Sequence, residues 1–243
     1  MLIKDNGIIL KTARRGESSL DVVFLGRTSG KIRLIAKGVL GRKKAQRVSM
    51  EPGGLAEIVY YHTEGRTLYY LREISVHSPA AMDRKSLPGM ATVLAALELL
   101  DKICYWNSPD EPLVDVAGEF MACQPPADPL FFFLILQIKL LTALGALPNF
   151  HHCAKCGRDL TKGYYHPQDG ASYCPAHKKT SAYQHVLDAH LLRLLDACER
   201  HSLPALKDMR IELPLRKDLG NLIHWTYTYH VQGYTLPQSL KLI

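Results

Sequence analysis

Apolar and polar residues alternate over much of residues 7–76, and a period of two is typical of β-strands with one buried face. Turns that contain glycine separate the alternating segments. Five short strands in about 70 residues favour a small Greek-key barrel of the OB type, although an SH3-like barrel has much the same strand count. The predicted strands cover residues 7–12, 20–28, 31–37, 55–62 and 67–76.

From residue 88 onward, the apolar residues recur at the three- and four-residue spacing of helices. Asp128 is the predicted N-cap of the third helix, with Pro129 at its first position, and Ser181 is the predicted cap of the fourth. The third helix is apolar nearly all round, which indicates a central, buried position. The predicted helices cover residues 88–106, 112–123, 129–145, 183–200, 203–209 and 215–232.

These patterns predict an α+β protein with three parts. An OB-fold barrel for nucleic-acid binding covers residues 1–79. An all-α bundle covers residues 80–147 and 181–243, and residues 148–180, which break the helical pattern, form a module inserted within it. An apolar run over residues 130–147 is interrupted by Gln137 and Lys139, and it falls short of the ~20 residues that a membrane span needs.

The positive charge of the chain is concentrated in its first third. The formal net charge is +7, and residues 1–80 hold 14 Lys or Arg against 7 Asp or Glu, whereas residues 81–243 hold 16 of each. This asymmetry indicates a nucleic-acid or membrane-surface partner for the first third. Residues 27–47 contain eight basic residues and no acidic one. A solvated surface is the alternative, but the lack of interspersed acids favours phosphate binding.

The third predicted strand gives this basic segment two faces. Its apolar residues at 32, 34 and 36 alternate with basic residues at 31, 33 and 37, which predicts a cationic outer face, and residues 38–47 are predicted as a basic loop. OB barrels bind oligonucleotides on strands 2 and 3 and with the loops that join strands 1–2 and 4–5. Arginines fall in both of those predicted loops. The predicted nucleic-acid-binding residues are Arg14, Arg15, Arg27, Lys31, Arg33, Lys37, Arg42, Lys43, Lys44, Arg47 and Arg66.

The inserted module contains two closely spaced pairs of metal-binding residues, Cys153 with Cys156 and Cys174 with His177. Zinc is held by four such donors at tetrahedral corners, and donors separated by two residues reach one ion from a single tight turn. The spacing therefore predicts a structural Cys3His zinc site. Chance clustering is the alternative, but it must explain two such pairs within 25 residues.

Two questions about this site stay open at the level of sequence. His151, His152 and His166 are close enough along the chain to replace His177 as the fourth ligand. A catalytic zinc would usually keep an open position, and Asp159 and Asp169 are the nearby carboxylates that a zinc hydrolase would need. The chain has no P-loop, dinucleotide-binding fingerprint, nucleophile elbow, metalloprotease helix or zinc-deaminase signature, so we expect a protein that is not an enzyme.

Several short motifs of the chain also resemble those of a known protein family. They are GIILKT at residues 7–12, GESSL at 16–20, GKIR at 30–33, AKG at 36–38, and LG at 144–145 with PN at 148–149 before CAKCG at 153–157. With the order of barrel, helices and zinc module, the chain resembles the RecO family of bacterial recombination mediators from residue 7 to about residue 195. Family members that keep the zinc site often have cysteine as the last ligand, so His177 is a departure.

The resemblance implies a function in DNA repair and recombination through the RecF pathway. It implies binding to single- and double-stranded DNA, annealing of complementary strands, and work with RecR to load RecA onto DNA coated by single-stranded DNA-binding protein (SSB). It also implies recognition of the acidic SSB C-terminal tail, for which residues 130–144 with Lys139 are the predicted site. Zinc is the implied cofactor, and the absence of a signal peptide and of a disulfide pattern predicts a cytoplasmic, nucleoid-associated protein. An RNA-binding module is the alternative, because OB barrels and zinc modules also bind RNA.

Overall fold

The computed structural model describes residues 1–39, 50–78, 86–180 and 183–243, and it divides into two compact units. The first unit comprises Met1–Pro125 together with Pro237–Ile243, and the second comprises Pro126–Leu236. None of the helices in the described ranges is long and apolar enough to span a membrane.

The first unit contains the predicted five-stranded barrel. The strands close in the order β1-β2-β3-β5-β4, in which β3 and β5 are parallel and the other neighbours are antiparallel. This topology confirms the predicted barrel and its OB-type character. The strands are β1 (Leu2–Arg15), β2 (Ser19–Gly26), β3 (Gly30–Ala36), β4 (Leu55–Tyr61) and β5 (Leu68–Ser78).

The apolar residues at alternate positions of these strands fill the barrel. Phe24, Ile32 and Leu34 are essentially inaccessible to solvent and pack together with the inward residues of β4 and β5. Full burial of each such side chain stabilises the fold by roughly 1.5–3 kcal/mol. The buried face of β3 therefore determines which of its residues point outward.

A buried carboxylate holds the turn that precedes β3. Asp5, 3% exposed, accepts hydrogen bonds from the backbone N–H groups of Asn6, Thr28 and Ser29 and from the Ser29 hydroxyl, at 2.6–3.2 Å. Four donors compensate for the loss of hydration of this charge. The β2–β3 turn is thereby fixed, and with it the start of the strand that carries the basic face.

Two helices, α1 (Leu87–Ile103) and α2 (Glu111–Ala122), complete the first unit with the C-terminal 3-10 helix Gln238–Leu242. The side chain of Asp110 caps α2 by accepting from the N–H of Leu113. The Glu98 carboxylate of α1 accepts from the N–H of Gln238, which attaches the C-terminal segment to this unit.

In its described residues, the second unit contains four α-helices, a short 3-10 helix (Pro175–His177) and a small sheet. α3 (Pro129–Ala143) is capped by Asp128 as predicted, and its three phenylalanines are buried, which confirms its central position. The three-stranded sheet has the order β7-β6-β8. The remaining elements are α4 (Ala189–Arg200), α5 (Leu203–Leu206), α6 (Leu213–His230), β6 (Gly163–His166), β7 (Ala171–Tyr173) and β8 (His185–Leu187).

The predicted start of the fourth helix is wrong. α4 begins at Ala189, and the Asp188 side chain caps it by accepting from the N–H groups of His190 and Leu191 at 2.9 and 2.8 Å. Residues 185–187 are extended because their backbone pairs with β6, which outweighs the helical spacing of their apolar residues. The predicted cap Ser181 lies outside the described residues.

Candidate functional site

Lys31 does not lie on the open face of β3, which corrects the sequence prediction. Its side chain points outward but is only 5% exposed, because the end of α1 and Trp106 cover it. The ammonium donates to the backbone carbonyl of Asp101, lies 3.6 Å from the Asp101 carboxylate, and lies 4.6 Å from the centre of the Trp106 ring. The Lys31 ammonium thus binds groups within the first unit and is not available to a phosphate.

Arg33 is exposed as predicted, but it shares an acidic partner with Arg15. The Asp21 carboxylate on β2 accepts from Arg15 at 2.9 Å and from Arg33 at 3.0 Å. Partial burial would raise the pKa of the Asp21 carboxyl, yet the two guanidinium groups outweigh it and hold that pKa below its usual value. The sequence prediction missed this acid, which the pairing of β2 with β3 places beside Arg33.

The Asp21→Asn variant is expected to bind an anionic polymer more tightly. Removal of the carboxylate frees two guanidinium groups, and one additional phosphate contact at ~0.1 M salt strengthens binding roughly five- to tenfold. Titration of a labelled oligonucleotide measures this gain. Asp196→Asn, which frees Arg200 in the second unit, is the matched control and should leave the affinity unchanged; an equal gain in both variants would assign the effect to net charge alone.

The other predicted cations have different environments. Lys37 follows β3, and its ammonium lies 4.3 Å from the centre of the Tyr70 ring. Arg27 is paired with Glu111 and Asp115 of α2, at 3.6 and 3.0 Å, so its charge is partly neutralised.

Three arginines can be placed by secondary structure. Arg14 and Arg15 lie at the end of β1, not in the loop that was predicted to hold them, because their backbone pairs with Leu20 and Ser19 of β2. Arg66 is exposed in the β4–β5 connection, as predicted. The predicted residues outside the described ranges are Arg42, Lys43, Lys44 and Arg47.

The four predicted metal ligands lie together in the second unit. Their ligand atoms are all within 4.8 Å of one another, and the group can hold a metal ion. Gly157, at φ +70°, lets the chain turn under the first pair, where its N–H donates to the Cys153 carbonyl at 2.8 Å. The N–H of Ala154 donates to the carbonyl of Ser172 on β7, which joins the first pair to the sheet that leads to the second.

The donor set fits a tetrahedral ion. The Nδ1 atom of His177 is 3.6 Å from the Cys153 Sγ and 3.5 Å from the Cys174 Sγ, and the ligand edge of a tetrahedral zinc site is about 3.5 Å. Burial would raise the pKa of the Cys153 thiol, but backbone N–H donors from Cys174, Cys156 and Lys155 outweigh it and lower the pKa to about 5. The fold therefore favours the thiolate, which is the form that binds a metal ion.

The three alternative histidines have other surroundings. His151 is 3.2 Å from the Glu199 carboxylate, and His152 is 3.1 Å from the Asp159 carboxylate. His166 is buried edge-to-face against Tyr173. Among the residues that the structure describes, His177 is the histidine that lies with the three cysteines.

Comparisons with known proteins cover nearly the whole chain. A family model described as "Recombination protein O N terminal" matches residues 1–80, and one described as "Recombination protein O C terminal" matches residues 84–239. A DNA repair protein RecO from an Exiguobacterium species is 24% identical over 97% of this chain and 92% of its own length. The DNA repair proteins RecO of Prosthecochloris aestuarii and Syntrophobacter fumaroxidans are 24% and 26% identical, over 100% and 99% of this chain and 97% and 96% of their own lengths.

Proposed function

Because the chain belongs to the RecO family of DNA repair proteins, we propose that it is a non-enzymatic mediator that binds DNA and anneals complementary strands. The observation that carries this proposal is a closed OB-type barrel whose outer face displays Arg33 and Lys37 beside an exposed tyrosine ring. Such a face binds phosphates without reading sequence, because backbone contacts position a strand but do not identify its bases.

Annealing follows from the same electrostatics. Two complementary strands repel each other through their phosphates, and a cationic surface reduces this repulsion while the condensed counterions that it releases drive binding. The barrel over residues 1–79 is the proposed nucleic-acid-binding domain, with residues 80–147 and 181–243 as its helical partner. Annealing breaks no covalent bond, so the proposed mechanism assigns no catalytic residue.

The proposed metal ion is Zn²⁺, held by Cys153, Cys156, Cys174 and His177 in the module over residues 148–180. Three thiolates and an imidazole match the ligand preference of zinc, and four protein ligands are typical of a structural site. The group contains no carboxylate. Asp169 pairs with Lys179 at 2.6 Å and Asp159 pairs with His152, so a zinc hydrolase is the weaker proposal.

The proposed partners are those of RecO-type mediation: single- and double-stranded DNA, RecR, RecA and the acidic SSB tail, in the cytoplasm and on the nucleoid. A tail site on residues 130–144 would use Lys139, which is half-buried and donates to the Glu199 carbonyl at 2.9 Å. The apolar side chains of this helix are mostly buried, so the tail would contact the partly exposed Leu130 and Leu134.

The double variant Arg33→Glu/Lys37→Glu tests the proposal. Two lost phosphate contacts are expected to weaken binding to a single-stranded oligonucleotide by roughly 25- to 100-fold at ~0.1 M salt, and to reduce the salt slope by about 1.5. Fluorescence anisotropy over a salt series measures both quantities, and strand annealing with and without SSB should fall in parallel. Lys31 is left unchanged because its side chain is buried.

The double variant Arg210→Glu/Lys217→Glu is the control, since it makes the same change of charge at exposed positions of the second unit. It should bind like the wild type. Equal losses in both variants, or binding that does not respond to salt, would contradict the proposal. Competition between DNA and RNA of the same sequence tests the alternative, because a clear preference for RNA would favour the RNA-binding function.

A further inference from the structure

Among the exposed aromatic side chains of the first unit, two are paired through their backbone with β3 or with a residue of it. Trp106, in the connection between α1 and α2, is 51% exposed, and Tyr70, on β5, is 40% exposed. Exposed aromatic rings beside cations are the elements with which proteins bind the bases of single strands. Both rings need to lie on one face for this use.

Backbone pairing places both rings along the outer face of β3. Lys31 pairs with Trp106 in a parallel bridge, and Ile35 pairs with Tyr70 in the parallel β3–β5 ladder. Paired residues on neighbouring strands have side chains on the same face of a sheet, and residues 31, 33 and 35 share the outer face. Trp106 and Tyr70 thus lie beside positions four residues apart on β3, a separation of roughly 13 Å, with Arg33 between them.

The position of Trp106 is fixed by the contacts of the segment around it. The N–H of Asn107 donates to the Lys31 carbonyl at 2.9 Å. A Cβ on Gly30 would lie 2.2 Å from the Ser108 carbonyl oxygen, so this segment packs directly on the turn before β3. The buried Lys31 ammonium supports the indole from one side, at 4.6 Å from the ring centre. The ring is therefore preorganised although half of its surface is open.

We propose that a single strand of nucleic acid lies along β3 with one base stacked on Trp106 and another on Tyr70, and with Arg33 against the intervening backbone. The ~13 Å between the two β3 positions is several times the ~3.4 Å rise per nucleotide, so the two rings would contact different bases of one strand. Arg33 and the Lys37 ammonium over Tyr70 supply the charge complementarity. This inference rests on the proposed nucleic-acid binding. It adds a preference for single strands over duplex, because the bases of a duplex are already stacked on each other.

The first test uses the fluorescence of Trp106 itself. The chain has two tryptophans, so Trp225→Phe leaves Trp106 as the sole reporter. Oligothymidylate is expected to quench this emission, whereas an abasic strand of the same length, which carries the same phosphates, is expected to bind without the same quenching. Equal quenching by both strands, or none by either while both bind, would overturn the stacking proposal.

The second test separates stacking from structural support. Trp106→Ala is expected to weaken oligothymidylate binding roughly 10- to 100-fold and to change duplex and abasic-strand binding by less than about twofold. Trp106→Phe should recover most of the loss, and Tyr229→Ala, an exposed aromatic of the second unit, should bind like the wild type. If Trp106→Ala weakens the binding of oligothymidylate, duplex and the abasic strand equally, the residue has a structural role and the stacking proposal is wrong.

The outcomes distinguish this proposal from the proposed function. If Trp106→Ala binds oligothymidylate like the wild type, with the same salt slope, stacking is overturned and DNA binding stands. If the wild-type protein binds neither strand in a salt-dependent way, the proposed function itself fails. A variant too unstable to measure leaves the decision to Trp106→Phe and to the quenching comparison.

Discussion

If the proposed zinc ion is bound, the Cys153→Ala variant is expected to lose it, and the free energy of unfolding of the second unit is expected to fall by several kcal/mol, on the order of 5. The metal ion contributes folding free energy because the unfolded chain does not hold four ligands in place. For a unit of this size, such a loss corresponds to roughly 20 °C in Tm. Elemental analysis of the purified protein and thermal unfolding followed by circular dichroism measure the two effects.

Cys198→Ala is the matched control for this prediction. Cys198 is a buried cysteine of the same unit, outside the metal group, and the same atoms are removed. We expect it to keep stoichiometric zinc and to lose only about 1 kcal/mol, from the small cavity. A Cys153→Ala protein that retained stoichiometric zinc, or that had the same Tm as the Cys198→Ala protein, would contradict the proposed zinc site.

Lys31→Glu is expected to reduce the free energy of unfolding of the first unit by about 3–5 kcal/mol. The new carboxylate would be buried against the Asp101 carbonyl in the last turn of α1, where the helix dipole is negative, and beside the Asp101 carboxylate. The variant also loses the cation that lies against Trp106. Urea unfolding monitored by tryptophan fluorescence measures this loss.

Lys31→Met is the informative control, because it keeps most of the length of the side chain and removes the ammonium, with its charge and its hydrogen bond to the Asp101 carbonyl, without adding a carboxylate. Asp101 retains a cationic partner in Lys11 at 2.6 Å, so its carboxylate is not left alone. We expect the methionine variant to lose far less stability than the glutamate variant. If both variants fold as stably as the wild type, the burial of Lys31 has no energetic consequence and the prediction is wrong.

Charge reversal at Lys31 is expected to lower the stability of the barrel as well as its positive charge. A Lys31→Glu protein that fails to bind DNA does not identify a phosphate contact, since its barrel is expected to be destabilised. Arg33 and Lys37 are the positions at which a loss of binding reports on the surface. The stability of each variant should therefore be measured before its affinity.

The amino-acid sequence by itself determined the features that depend on neighbours along the chain. The period of two and the glycine turns predicted the barrel strands, because alternation is a local consequence of strand geometry. The apolar run after Asp128 predicted a buried α3 in the same way. The two short ligand pairs predicted the metal group, since a spacing of two residues brings donors together within one turn.

Only the tertiary structure decided which of the outward-facing cations are available. Alternation placed Lys31 and Arg33 on the same face, but α1 covers one of them through a contact 70 residues distant along the chain. Asp21 pairs with Arg33 through the β2–β3 ladder, and Trp106 pairs with Lys31 of β3 from the connection between α1 and α2. Periodicity specifies the face on which a side chain lies, whereas the packing of distant segments decides whether solvent, an acid or a helix end meets it there.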